Sequence, residues 1–122
     1  MAAKKILIAE DEKPLARALS LKLQKAGIET DLAHDGDAVK AMLAANKYDL
    51  ILMDLMMPKH DGFGLIESLK TKNDPTPVVV MSNLSQDTDR NRAATLGATH
   101  YFVKSDVPLS EIVEYVKKTI SA

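Results

Sequence analysis

Residues 50–57 read Leu50-Ile51-Leu52-Met53-Asp54-Leu55-Met56-Met57, a single carboxylate set in the most apolar stretch of the chain. Four consecutive apolar residues that do not alternate with polar ones predict a short strand buried on both faces. A carboxylate directly after such a strand is costly unless something compensates its charge. The same pattern recurs on either side. Ile6-Leu7-Ile8-Ala9 runs into Glu10-Asp11, Val78-Val79-Val80-Met81 into Ser82, and Tyr101-Phe102-Val103 into Lys104. With Glu29 to Ala33 these make five strand candidates.

Between them lie segments with apolar residues three and four apart. Leu15, Leu19, Leu23 and Ala26 form one stripe, and Ile112, Val113, Val116 and Ile120 another. Helices are expected around Ala38 to Ala45, Phe63 to Lys70 and, in more polar sequence, Asp87 to Thr95. Gly27 and Gly97 stand where helix C-caps belong, and Asp35 and Ser85 where N-caps do. Five βα units follow, hence an α/β fold of the flavodoxin-like (βα)5 type, a doubly wound five-stranded parallel sheet. The order 2-1-3-4-5 is the one known for folds of this kind.

The bulk composition narrows the function. The chain has 122 residues, enough for one domain with a substantial core, expected over 1–122. Sixteen Lys and Arg against seventeen Asp and Glu give a net charge of −1, so neither nucleic acid nor an anionic membrane is expected as a direct partner. There is no cysteine, which removes disulfides and thiol chemistry. The four apolar residues after Lys5 are too few for a signal-peptide core, and no stretch approaches a membrane span, so the expected location is the cytoplasm.

Chemistry is expected at the carboxyl ends of the strands, where doubly wound sheets bind their ligands. Three acids, a hydroxyl and an amine arrive there: Glu10, Asp11, Asp54, Ser82 and Lys104. Two carboxylates ~5 Å apart at an effective dielectric near 20 repel by roughly 3 kcal/mol, and Lys104 supplies one positive charge among three negative ones. A divalent cation with oxygen ligands is the remedy, and Mg²⁺ suits carboxylates, waters and a phosphate. Beside such an ion Asp54 would act as a nucleophile toward phosphorus, with Lys104 and Ser82 holding phosphoryl oxygens.

These motifs, together with Asp54-Leu55-Met56-Met57-Pro58 and Asp61-Gly62, resemble a response-regulator receiver domain, the CheY-like phosphoacceptor of two-component signalling. The resemblance covers nearly the whole chain in order and spacing. It implies that Asp54 accepts a phosphoryl group from a histidine kinase or phosphotransfer protein. It also implies that Asp11, Asp54 and the backbone carbonyl of Met56 bind Mg²⁺, with Glu10 acting through water. Ser82 and Tyr101 would carry the switch to the surface of the fourth helix, fifth strand and fifth helix, where an unknown output protein is met. The chain is then no enzyme toward external substrates but a phosphoacceptor, stand-alone or part of a longer regulator, as a monomer or a phosphorylation-dependent dimer.

Departures from the family pattern carry further expectations. Ser105 follows the lysine where proline is usual, so a trans bond with a shifted loop or a strained bond is expected there. Asn83 replaces a small residue. Met56 and Leu84 are apolar where side chains tune hydrolysis, which predicts slow loss of phosphate. Met53, Met56 and Met57 are expected to be core filler, Leu21 to be exposed, and His34, His60 and His100 to carry no chemistry.

Two other functions fit parts of the pattern. A Mg²⁺-dependent aspartate-nucleophile phosphohydrolase of the haloacid dehalogenase type wants a second acid two residues on, where Met56 stands. A flavodoxin-like cofactor-binding module wants a glycine- or hydroxyl-rich loop after the first strand, where Glu10-Asp11-Glu12-Lys13 stands instead.

Overall fold

The computed structural model describes residues 4–121. Strands β1 (Lys5–Ala9), β2 (Glu29–Ala33), β3 (Leu50–Met53), β4 (Val78–Ser82) and β5 (His100–Val103) alternate with helices α1 (Lys13–Lys25), α2 (Gly36–Ala45), α3 (Gly62–Thr71), α4 (Asp87–Leu96) and α5 (Leu109–Ser121). The strands form one parallel sheet in the order β2-β1-β3-β4-β5, as expected. Two features were not foreseen: a two-residue antiparallel pair, Met56–Met57 with His60–Asp61, and a 3-10 turn over Lys104–Asp106.

Successive residues of a strand point to opposite faces, so a doubly covered sheet needs apolar residues at every position. Leu7, Ile51, Met53 and Val80 pack with Val39, Phe63 and Ile66 under α2 and α3. Ile6, Ile8, Leu50, Leu52, Val79 and Met81 pack with Leu19, Leu23, Ile112 and Val116 under α1 and α5. Burial of one such side chain is worth about 1.5–3 kcal/mol. β2 is the exception: as an edge strand it leaves Glu29 exposed and Thr30 and Asp31 half-buried.

Asp35 caps α2, its carboxylate accepting from the Ala38 N–H at 2.8 Å. Ser85 does not cap α4. The chain enters that helix one residue later, at Gln86, which makes no side-chain capping bond. Gly97 closes α4 with φ 115°, a conformation that side chains with a Cβ rarely adopt. Gly62 serves closeness rather than φ. A Cβ there would lie 2.6 Å from the Leu55 Cα, so α3 begins hard against the backbone that follows Asp54.

Candidate functional site

The register Ala9↔Met53 of β1 with β3 puts the residues after them, Glu10 and Asp54, side by side at one sheet edge. Glu10 is fully buried and Asp54 is 4% exposed, while Asp11 stands more open. One oxygen from each of Glu10, Asp11 and Asp54 lies within 4.8 Å of the others. Lys104, at the end of β5, places its Nζ 2.8 Å from Asp54 Oδ2 and 2.5 Å from Glu10 Oε1. Glu12 Oε2 stands farther from the same ammonium, at 3.6 Å.

Other donors hold these carboxylates in place. The Met56 N–H donates to Asp54 Oδ1 at 3.0 Å, and the Glu12 N–H to Glu10 Oε2 at 3.0 Å. Burial pushes the Glu10 carboxyl up to about 7, against the pull of Lys104, with the neighbouring Asp54 charge adding to the rise. Burial opposes the Lys104 charge, but hydrogen bonds to Asp54 and Glu10 overcome it and raise the ammonium above its ordinary range. Lys104 therefore stays charged, and a surplus of negative charge remains.

That surplus is the test for a metal. Among the described residues, the buried Glu10 Oε1 meets only the Lys104 ammonium, which it shares with Asp54 and Glu12. The donor set is all oxygen, with no cysteine and no histidine ligand in the group. These residues fit Mg²⁺ or a similar hard cation.

Ser82 is fully buried at the end of β4. Its Oγ accepts from the Leu84 N–H at 3.2 Å. Tyr101 donates its hydroxyl to the carbonyl of the same Leu84 at 2.7 Å, beneath the Arg90 guanidinium, 5.5 Å from the ring centre. The two residues read as a switch thus hold one residue, Leu84, through its N–H and its carbonyl, which lie in successive peptide units. Met56 is not core filler as Met53 and Met57 are. At 58% exposure it stands at the rim, because the Asp54 carboxylate takes its N–H and turns the chain outward. The peptide bonds of the described residues include no cis form, so the Lys104–Ser105 bond is trans and runs into the 3-10 turn.

Residues 6–117 match the family described as the response regulator receiver domain. The chain belongs to that family. As a receiver domain it resembles the transcriptional regulatory protein DltR of Streptococcus agalactiae, 34% identical over 82% of this chain and 45% of that protein. The response regulator ArlR of Staphylococcus saprophyticus is 36% identical, with the same coverage. The chain spans about half the length of these relatives. In three dimensions this receiver domain overlays that of a Francisella response regulator with a TM-score of 0.90, at 30% identity over 97% of both chains. A two-component response regulator from Clostridium difficile gives the same TM-score at 27% identity, over 97% of this chain and 96% of that one.

His34, to which the sequence assigned no chemistry, borders the site. Its Nδ1 lies 3.0 Å from the Glu10 carbonyl oxygen. The signal was its place after β2, at the same sheet edge as the other site residues. The next residues reach the second site loop, with the Gly36 N–H donating to the Pro58 carbonyl at 3.1 Å and Lys59 3.6 Å from Asp35.

Proposed function

We propose that Asp54 is the residue phosphorylated in this receiver domain, with Asp11, Asp54, the Met56 carbonyl and, through water, Glu10 as the Mg²⁺ site. The observation that carries this is a buried carboxylate, paired by Lys104 and crowded by two more acids, whose charge one lysine does not balance. Mg²⁺ bound there would neutralise the oxygens of an incoming phosphoryl group.

An Asp54 carboxylate oxygen attacks phosphorus, so that an O–P bond forms as the P–N bond of a phosphohistidine breaks. The departing imidazole nitrogen keeps the bonding pair and takes up a proton. Lys104 keeps its charge and passes from the carboxylate to a phosphoryl oxygen. The Ser82 hydroxyl, which now accepts from Leu84, turns to donate to the phosphoryl group. Leu84 is released on one side while Tyr101 holds the other, which gives the phosphoryl group different contacts in two states of the β4–α4 loop. The partners that follow are a histidine kinase or phosphotransfer protein and an output protein read through α4, β5 and α5.

The test is intact mass after incubation with acetyl phosphate, with and without Mg²⁺. One added phosphoryl mass that requires Mg²⁺ and is lost in Asp54→Asn supports the assignment. Labelling that survives the substitution overturns it.

A further inference from the structure

The carbonyl of Glu10 is the last acceptor of β1 before the chain leaves the sheet. One rung earlier the parallel ladder is intact, with the Glu10 N–H donating to Ala33 at 2.9 Å. Beyond it β2 turns away at Asp35, whose carboxylate starts α2. The donor that reaches the Glu10 carbonyl is the imidazole of His34, at 3.0 Å, and since a carbonyl only accepts, Nδ1 carries the hydrogen. Both sides of the Glu10 backbone are therefore held by the end of β2.

This peptide connects the two acids of the first loop. Rotation of its carbonyl would swing the Asp11 Cα and the direction of its carboxylate. It would also disturb the hydrogen bond by which the Glu12 N–H holds Glu10 Oε2. Two residues on, Gly36 fastens the Pro58 carbonyl of the other site loop, so the turn 34–36 touches both loops that bear the acids.

We propose that His34 is a positioning residue for the acidic pocket, fixing through the Glu10 carbonyl how Glu10 and Asp11 present their carboxylates to a divalent cation. The proposal rests on reading the pocket as a Mg²⁺ site. His34 touches no ligand itself, and hydrogen bonds of this kind behind a metal site typically govern about tenfold or more in affinity.

Mg²⁺ titration calorimetry on the full chain tests it, with His34→Phe keeping a ring but no donor, and His34→Asn restoring an N–H near the Nδ1 position. Expected is about tenfold weaker binding for His34→Phe and affinity close to the parent for His34→Asn. Melting in EDTA serves as the control for a purely structural effect. Equal affinity of His34→Phe and parent overturns the proposal, as does equal weakening of both variants. Nitrogen NMR of the parent protein needs no variant: a proton on Nδ1 is expected, and a neutral ring protonated only on Nε2 overturns the assignment. If the parent binds no Mg²⁺, or Asp11→Asn binds it equally well, the pocket reading fails and this inference with it. Parent-like binding by His34→Phe alone leaves the pocket reading standing.

Discussion

Lys104 and Asp54 lie 50 residues apart in the chain and meet at 2.8 Å, past the end of β4, the strand between β3 and β5. With the lysine removed, Glu10 and Asp54 remain buried together with no cation. Lys104→Ala is expected to lose about 3 kcal/mol of stability in EDTA, in the range found when one partner of a buried pair is deleted. Urea unfolding measures it, and saturating Mg²⁺ should restore part of the loss.

Removal of an acid should act in the opposite direction. Asp11 shares the 4.8 Å cluster with two other carboxylates, and Lys104 relieves their repulsion only in part without metal. Asp11→Asn is expected to gain about 1 kcal/mol in EDTA, a fraction of the unscreened pair energy because Asp11 is partly solvated. The same variant should lose the stabilisation that the parent gains on adding Mg²⁺. Paired urea titrations with and without Mg²⁺ give both numbers.

Gly62 supports the site from beneath. Its missing Cβ leaves room for Leu55, whose Cα and carbonyl oxygen would be 2.6 and 2.9 Å from a methyl group there. Backbone atoms cannot move aside as a flexible side chain can. Gly62→Ala is expected to cost about 2–3 kcal/mol and to disturb the Asp54 amide region in NMR spectra. Gly64, with open space around its Cα, is the control: Gly64→Ala should show neither effect.

Acid stability should register Asp35. The Ala38 N–H at the start of α2 is the main influence holding its carboxyl below the ordinary 3.8, with Lys59 assisting. A lowered folded value means that the unfolded chain binds the proton more readily. The stabilisation is present above pH 3.8 and is lost as pH falls through the lower folded value. Asn caps a helix without titrating, so the stability of Asp35→Asn should fall less steeply below about pH 4. Parallel slopes for the two proteins would exclude this role.

Met56 bears on the lifetime expected for a phosphorylated Asp54. Exposed at the mouth of the site, its side chain offers no hydrogen-bonding group of the kind that orients an attacking water. Met56→Asn supplies one, and dephosphorylation is expected to quicken by about tenfold, at the low end of what a positioned polar group contributes. The rate is read from intact mass after the phosphodonor is removed. A parent half-life of seconds would contradict the slow loss expected of the apolar rim.

Much of this was legible in the sequence because it depends on local order. Uninterrupted apolar runs marked β1, β3 and β4, and the polar residue after each run named Asp54, Ser82 and the Glu10-Asp11 pair. The edge position of β2 was not read from Glu29, Thr30 and Asp31, although their polarity fits it. Asp35 was readable as a cap because capping joins residues three apart. Ser85 misled for the same reason, since the exact entry of a polar helix depends on the loop that delivers it.

The sequence by itself determined that Asp54 is a charge at the end of a buried strand, and that its neighbours in chemistry would be other strand ends. Tertiary structure decided which of those ends meet. The register of β1 on β3 brings Glu10 beside Asp54, and β5 lies near enough for the long Lys104 side chain to reach both. It also decided that Met56 faces solvent, that Ser82 and Tyr101 both bond to the backbone of Leu84, and that His34 holds the Glu10 carbonyl. Each is a contact between segments distant in the chain or a local turn set by a hydrogen bond, and neither leaves a period that a sequence pattern can carry.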